Sequence, residues 1–104
     1  MPTDADRPHL LFFTNLRSGP GRRMESLLAQ LARKERERLR VSRVDSDRVA
    51  KLTRRLAVNE IPTLVLLVAG SPVARIEGRA SAPQIERMLA AHLPPGKPDT
   101  SLAA

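Results

Sequence analysis

Ser18-Gly19-Pro20-Gly21-Arg22-Arg23 joins an apolar run, His9 to Phe13, to an amphipathic segment that opens near Pro20. A short, almost wholly apolar run bounded by turn residues reads as a strand covered on both faces, and hence as a central strand. The stretch is therefore a strand that turns sharply on Gly-Pro into a helix. α/β proteins concentrate chemistry at such a turn, because the first helical N–H groups have no intrahelical partner and point at a ligand.

Outward from this turn the elements follow from periodicity. Met24, Leu27, Leu28 and Leu31 recur at i, i+3, i+4 and i+7, which predicts a helix running to about Glu37. The mixed charges of Arg33 to Arg38 mark its solvated end. Leu39 to Val44 alternates apolar and polar residues and reads as an edge strand, with Arg40 and Arg43 discouraging further pairing. Asp45-Ser46-Asp47 offers N-cap chemistry for a second helix carrying Val49, Leu52 and Leu56. Val58 to Ile61 connects it to Pro62. Thr63 to Val68 is the most apolar strand, and the core is centred there. Ala69-Gly70-Ser71-Pro72 turns it into Val73 to Ile76 as an antiparallel hairpin. After the loop Glu77 to Ala80, Ser81 and Gln84 form a capping box for a last helix with Ile85, Met88 and Leu89 inward, ended by Pro94-Pro95. The order β-α-β-α-β-β-α gives an α/β fold, a four-stranded mixed sheet with helices on both faces. Residues 1–8 are expected to be a flexible lead, 9–93 the domain, and 94–104 a disordered tail with too little apolar content to pack.

At 104 residues the chain has room for one domain. It has no cysteine, so a disulfide, a thiolate metal site, an iron–sulfur cluster and a cysteine nucleophile are all excluded. The polar, acidic start, Met1 to Asp6, lacks the pattern of a secretory leader, and no apolar run approaches the ~18 residues of a membrane span. A cytoplasmic protein with no membrane partner is expected. His9 and His92 have no second ligand at metal spacing, so neither a metal nor another cofactor is expected. The net charge is +7 and is concentrated in residues 17–55, which carry 13 Lys/Arg against 5 Asp/Glu. Such asymmetry can attract an acidic partner or nucleic acid. Nucleic acid is disfavoured here, because Phe12 and Phe13 are the only aromatic residues and both lie in the apolar strand, leaving no stacking platform.

Gly-Pro at the start of the first helix, Ile61-Pro62-Thr63 at the start of the third strand, the hairpin and Gly78 together resemble thioredoxin over residues 8–93. Ser18-Gly19-Pro20-Gly21 stands where that family has Cys-Gly-Pro-Cys. Its buried acid before the motif falls at Phe12, and its two tryptophans fall at Thr14 and Arg17. The chain starts too late to supply the family's first strand and helix, so the resemblance implies the minimal core found in glutaredoxin-like members. It also implies a groove for an extended peptide, formed by Ser18, Gly19, Pro20 and Gly21, by Ile61 beside a cis Pro62, and by Gly78 and Arg79.

The expected function is a redox-inactive, thioredoxin-like module that holds a protein or peptide by main-chain pairing. It is expected to be a monomer or a weak dimer through the edge strand. The alternative is an anion, phosphate or nucleic-acid binder at the helix N-terminus, with Arg17, Arg22 and Arg23 supplying charge. Catalysis by Ser18 is disfavoured, since no base has a sequence-visible reason to lie beside it. The plainest reading is that Ser18 caps the helix and nothing more.

Overall fold

The computed structural model describes residues 7–15 and 19–93. β1 (His9–Thr14) is followed by α1 (Gly19–Lys34), β2 (Arg40–Asp45), α2 (Ala50–Arg55), β3 (Thr63–Val68), β4 (Ser71–Glu77) and α3 (Ala82–His92). The sheet order is β2-β1-β3-β4, with β1 parallel to β2 and antiparallel to β3, and β4 antiparallel to β3. The predicted mixed sheet, central β1 and edge β2 are all present. The lead and tail fall mostly outside the described residues, although Pro8 is buried and its carbonyl accepts the Arg40 N–H.

Strand alternation divides the core in two. Leu10 and Phe12 of β1 and Leu64 and Leu66 of β3 face Met24 and Leu28 of α1 and Ile85 and Leu89 of α3. Leu11, Phe13 and Val65 face the other way, toward Leu52 and Leu56 around α2. β1 and β3 thus bury both faces, which is why their sequences are nearly continuous in apolar residues.

Three boundaries differ from their sequence patterns. α1 ends at Lys34, because the Leu39 and Arg38 N–H groups both turn back to the Glu35 carbonyl and Arg38 pairs with the Glu35 carboxylate at 2.7 Å. That pairing holds the Glu35 carboxyl below its usual range, chiefly through the Arg38 hydrogen bond. The N-cap of α2 is Val49 with no side-chain cap. Asp45 instead accepts the Asp47 N–H on Oδ1 at 2.9 Å and makes a turn ahead of the helix. The hairpin turns through Ala69 and Gly70, both at positive φ, as a two-residue loop requires. The capping box of α3 forms as expected, with Ser81 and Gln84 each accepting the other's N–H.

The C-terminus of α2 carries a device that its residue types conceal. The Ala57 N–H bonds to the Arg54 carbonyl and the Val58 N–H to the Thr53 carbonyl, with Ala57 at φ 53, which is a Schellman closure normally built on glycine. Arg75 of β4 then donates to the carbonyls of Leu56 and Ala57, placing a cation at the negative end of the helix. Ala57→Gly is expected to stabilise the protein by roughly 0.5 kcal/mol in urea unfolding. Relief of left-handed strain, ~1–2 kcal/mol, exceeds the added unfolded-state entropy, ~0.4–1 kcal/mol.

The ladder also shows which residues of β2 face outward. Arg40 donates to the Pro8 carbonyl and Ser46 to that of Thr14, so even-numbered residues of β2 bond to β1, and Val41 and Arg43 point their main chain to the open edge. Ser42→Pro is therefore expected to cost on the order of 1–3 kcal/mol more than Arg43→Pro, because only the first strands a buried carbonyl of β1. Urea denaturation of the two variants checks it.

Candidate functional site

The site predicted around the Gly-Pro turn lies at one end of the sheet. β1 ends there at Thr14, and Phe13 pairs with Thr63, which pairs in turn with Glu77. This row leads directly into the Ile61-Pro62 bond ahead of β3 and into Gly78 after β4. Ile61-Pro62 is cis. The Gly78 N–H donates to the Pro62 carbonyl at 2.8 Å, so two of the three predicted groove segments are joined directly.

Burial sorts the segments. Pro62 is buried, Ile61 and Gly78 are half-buried, and Arg79 is exposed. No hydrogen bond engages the Ile61 main chain among the described residues, which leaves one N–H and one C=O open beside the buried proline. The Thr63 hydroxyl donates to the Glu60 carbonyl at 2.6 Å and holds the loop ahead of the proline against the strand. A side chain added at Gly19 would meet nothing within 4 Å. Pro20 and Gly21 lie in the first turn of α1, while Ser18 and Arg17 lie outside the described residues.

The electrostatics of the helix start favour no single ligand. The first turn of α1 has no acidic residue, and Arg22 and Arg23 are exposed, which sets like charge against the positive end of the helix dipole. At the family's buried-acid position Phe12 is packed in the core, and Thr14 is buried with its hydroxyl 3.4 Å from the Asn15 carbonyl. Neither histidine serves this end of the sheet. His9 opens β1, five residues and on the order of 17 Å from Thr14, and His92 closes α3, whose start follows the Gly78 loop. A base for a serine nucleophile is therefore missing from the histidines. Among the described residues no three His, Asp or Glu side chains converge as metal ligands, and no helix is long and apolar enough to cross a membrane.

The residue types pointed to these segments but not to the hydrogen bond that links two of them. The hydrogen bond from Gly78 to Pro62 continues the β3–β4 ladder past the Thr63–Glu77 pair, and it depends on a hairpin register, shifted at Leu66/Leu67, that residue types alone do not give. Gly78 has φ 81, and a Cβ there would stand 2.9 Å from Glu60 Oε2. Gly78→Ala should lower stability by about 1–2 kcal/mol, mostly from the backbone conformation, because the exposed Glu60 side chain can swing away. Thermal or urea unfolding would show it, and no loss would mean that the loop readjusts.

The comparisons agree with this geometry. The thioredoxin family model matches residues 3–91. A thioredoxin-like protein of Synechocystis, slr0233, is 30% identical over 86% of this chain and 85% of its own length. The thioredoxin of Alicyclobacillus acidocaldarius is 31% identical over 82% of this chain and 81% of its own. The solved germline-specific thioredoxin Deadhead of Drosophila melanogaster superposes with a TM-score of 0.78 at 32% identity, covering 84% of this chain and 82% of that one. With fold, cis proline and sequence in accord, the chain belongs to the thioredoxin family, as a member without cysteine.

Proposed function

We propose that this protein is a redox-inactive, cytoplasmic binding module that holds an extended segment of a protein partner against Ile61 and Gly78. The carrying observation is the open N–H and C=O of half-buried Ile61, set beside a loop that the Gly78 to Pro62 bond holds in place. Main-chain pairing of this kind supplies affinity with little demand on partner sequence. Thiol chemistry has no place in the reading, because disulfide exchange needs an attacking thiolate and then a resolving thiol, and the chain has no cysteine.

Affinity capture from native lysate with the wild type and an Ile61→Glu variant tests the groove. A partner retained in high salt by the wild type and lost from the folded variant is the expected result. A partner that elutes with salt and depends on Arg22 and Arg23 would favour the anion alternative, since exposed charge pairs are screened within about 8–10 Å. Oligomerisation is a separate question: pairing through β2 should be weak and should disappear with Arg43→Pro in sedimentation.

Insulin reduction by dithiothreitol should proceed at the buffer rate in the presence of this protein. Any acceleration would overturn the redox-inactive assignment.

A further inference from the structure

The two faces of the sheet are covered unequally. α1 and α3 pack on one face, and among the described residues only the six-residue α2 packs on the other. On that second face, at the end of the sheet remote from Gly19, lies a cavity of about 470 Å³ lined by Arg7, His9, Arg40, Leu67, Ala69 and Gly70. No residue of α2 reaches it.

Its floor is one row of the sheet. Arg40 of β2 pairs with His9 of β1, which pairs with Leu67 of β3, and residues paired across strands project to the same face. His9 Nε2 lies 2.6 Å from Ser42 Oγ, which fixes the ring and leaves Nδ1 as its second polar atom. The Arg40 guanidinium has no carboxylate partner among the described residues. Arg7, which also lines the cavity, donates to the Arg36 carbonyl. The groups facing His9 are thus Arg7 from the segment before β1 and Arg40 and Ser42 from β2, while the β3–β4 end contributes the neutral Leu67, Ala69 and Gly70. No Asp or Glu lines the cavity among the described residues. Burial, and then Arg40, press the His9 pKa below its usual value, as expected of a partly desolvated imidazole beside a guanidinium.

We infer that this cleft is an anion site that holds a phosphate group, free or carried on a small organic molecule, between the Arg40 guanidinium and the His9 ring. A guanidinium on one wall offers a planar fork of donors matched to two phosphate oxygens. A histidine with one nitrogen already engaged offers a single further donor once the anion favours its protonated form. Half-buried Leu67 supplies an apolar wall beside these two groups. The site is independent of the groove at the other end of the sheet and does not rest on that reading.

The test is a ring-resonance titration of the full chain labelled at its two histidines, His9 and His92, with exposed His92 as internal reference. Inorganic phosphate, sulfate and glycerol 3-phosphate are each added against sodium chloride at constant ionic strength. The expected result is a saturable shift of His9 that His92 does not share, with the His9 titration midpoint moving upward in sulfate. Arg40→Gln should weaken the apparent Kd at least tenfold, and Arg87→Ala on α3 should leave it unchanged. Tighter binding of glycerol 3-phosphate than of inorganic phosphate would identify a carried phosphate, and the reverse order the free ion. Parallel, non-saturating shifts of both histidines, or an unchanged Kd in Arg40→Gln, would overturn the site. Should Arg40→Gln lose its folded spectrum, Arg40→Lys, which keeps the charge and loses the fork, decides by the same criterion.

Discussion

Everything in this fold depends on the middle of β1, Leu10 to Phe13, being shut off from water. Leu10 to Phe13 are at most 4% exposed, and a strand so placed must find partners for its main chain on both edges and cover for its side chains on both faces. β2 and β3 supply the first, α1, α3 and α2 the second. Each leucine or phenylalanine withdrawn from water contributes about 1.5–3 kcal/mol, so the strand anchors the elements that flank it. Its two ends are then the natural places for function, because there the ladder stops and polar groups emerge.

The basic charge that dominates the sequence is used in several different ways. Arg38, Arg43 and Arg48 pair with Glu35, Glu25 and Asp45; such exposed pairs contribute little to stability, typically under ~1 kcal/mol each. Arg43 and Glu25, 3.1 Å apart, also rim an apolar cavity of about 270 Å³ floored by Phe12, Leu28 and Val41. Arg75 has a different task, closing the end of α2. Arg22 and Arg23 on the helix start and Arg40 in the cleft beside His9 are among the basic residues that have no carboxylate partner among the described residues.

The two ends of β1 differ in how their polar groups are met. At the Gly19 end the threonine hydroxyls are satisfied by neighbouring carbonyls, while the Ile61 main chain has no hydrogen bond among the described residues. No buried side-chain nitrogen or oxygen lacks a partner among the described residues. Groups so fully satisfied suit binding better than proton transfer. At the His9 end the described lining of the cleft holds Arg40 and His9 and no Asp or Glu, which is the setting from which the anion site is inferred.

Residue pattern alone was enough for the order of elements, because apolar period and turn chemistry are local properties. The doubly buried runs at Leu10 to Phe13 and Thr63 to Val68, the Ser81–Gln84 capping box and the charged edge at β2 were each legible within a few residues. The absence of cysteine was sufficient to remove thiol chemistry whatever the fold. Tertiary structure alone decided where α1 stops, since the Glu35–Arg38 turn competes with a helix that the same charges could have continued. It also decided that an alanine closes α2 in a glycine's conformation, with an arginine from β4 capping two later carbonyls, those of Leu56 and Ala57. The row Arg40–His9–Leu67 was invisible because it joins strands that lie apart in the chain, and the bond from Gly78 to Pro62 because it follows from the register of the β3–β4 hairpin, which shifts at Leu66/Leu67; register is set by the packing of both sheet faces at once rather than by any residue in isolation.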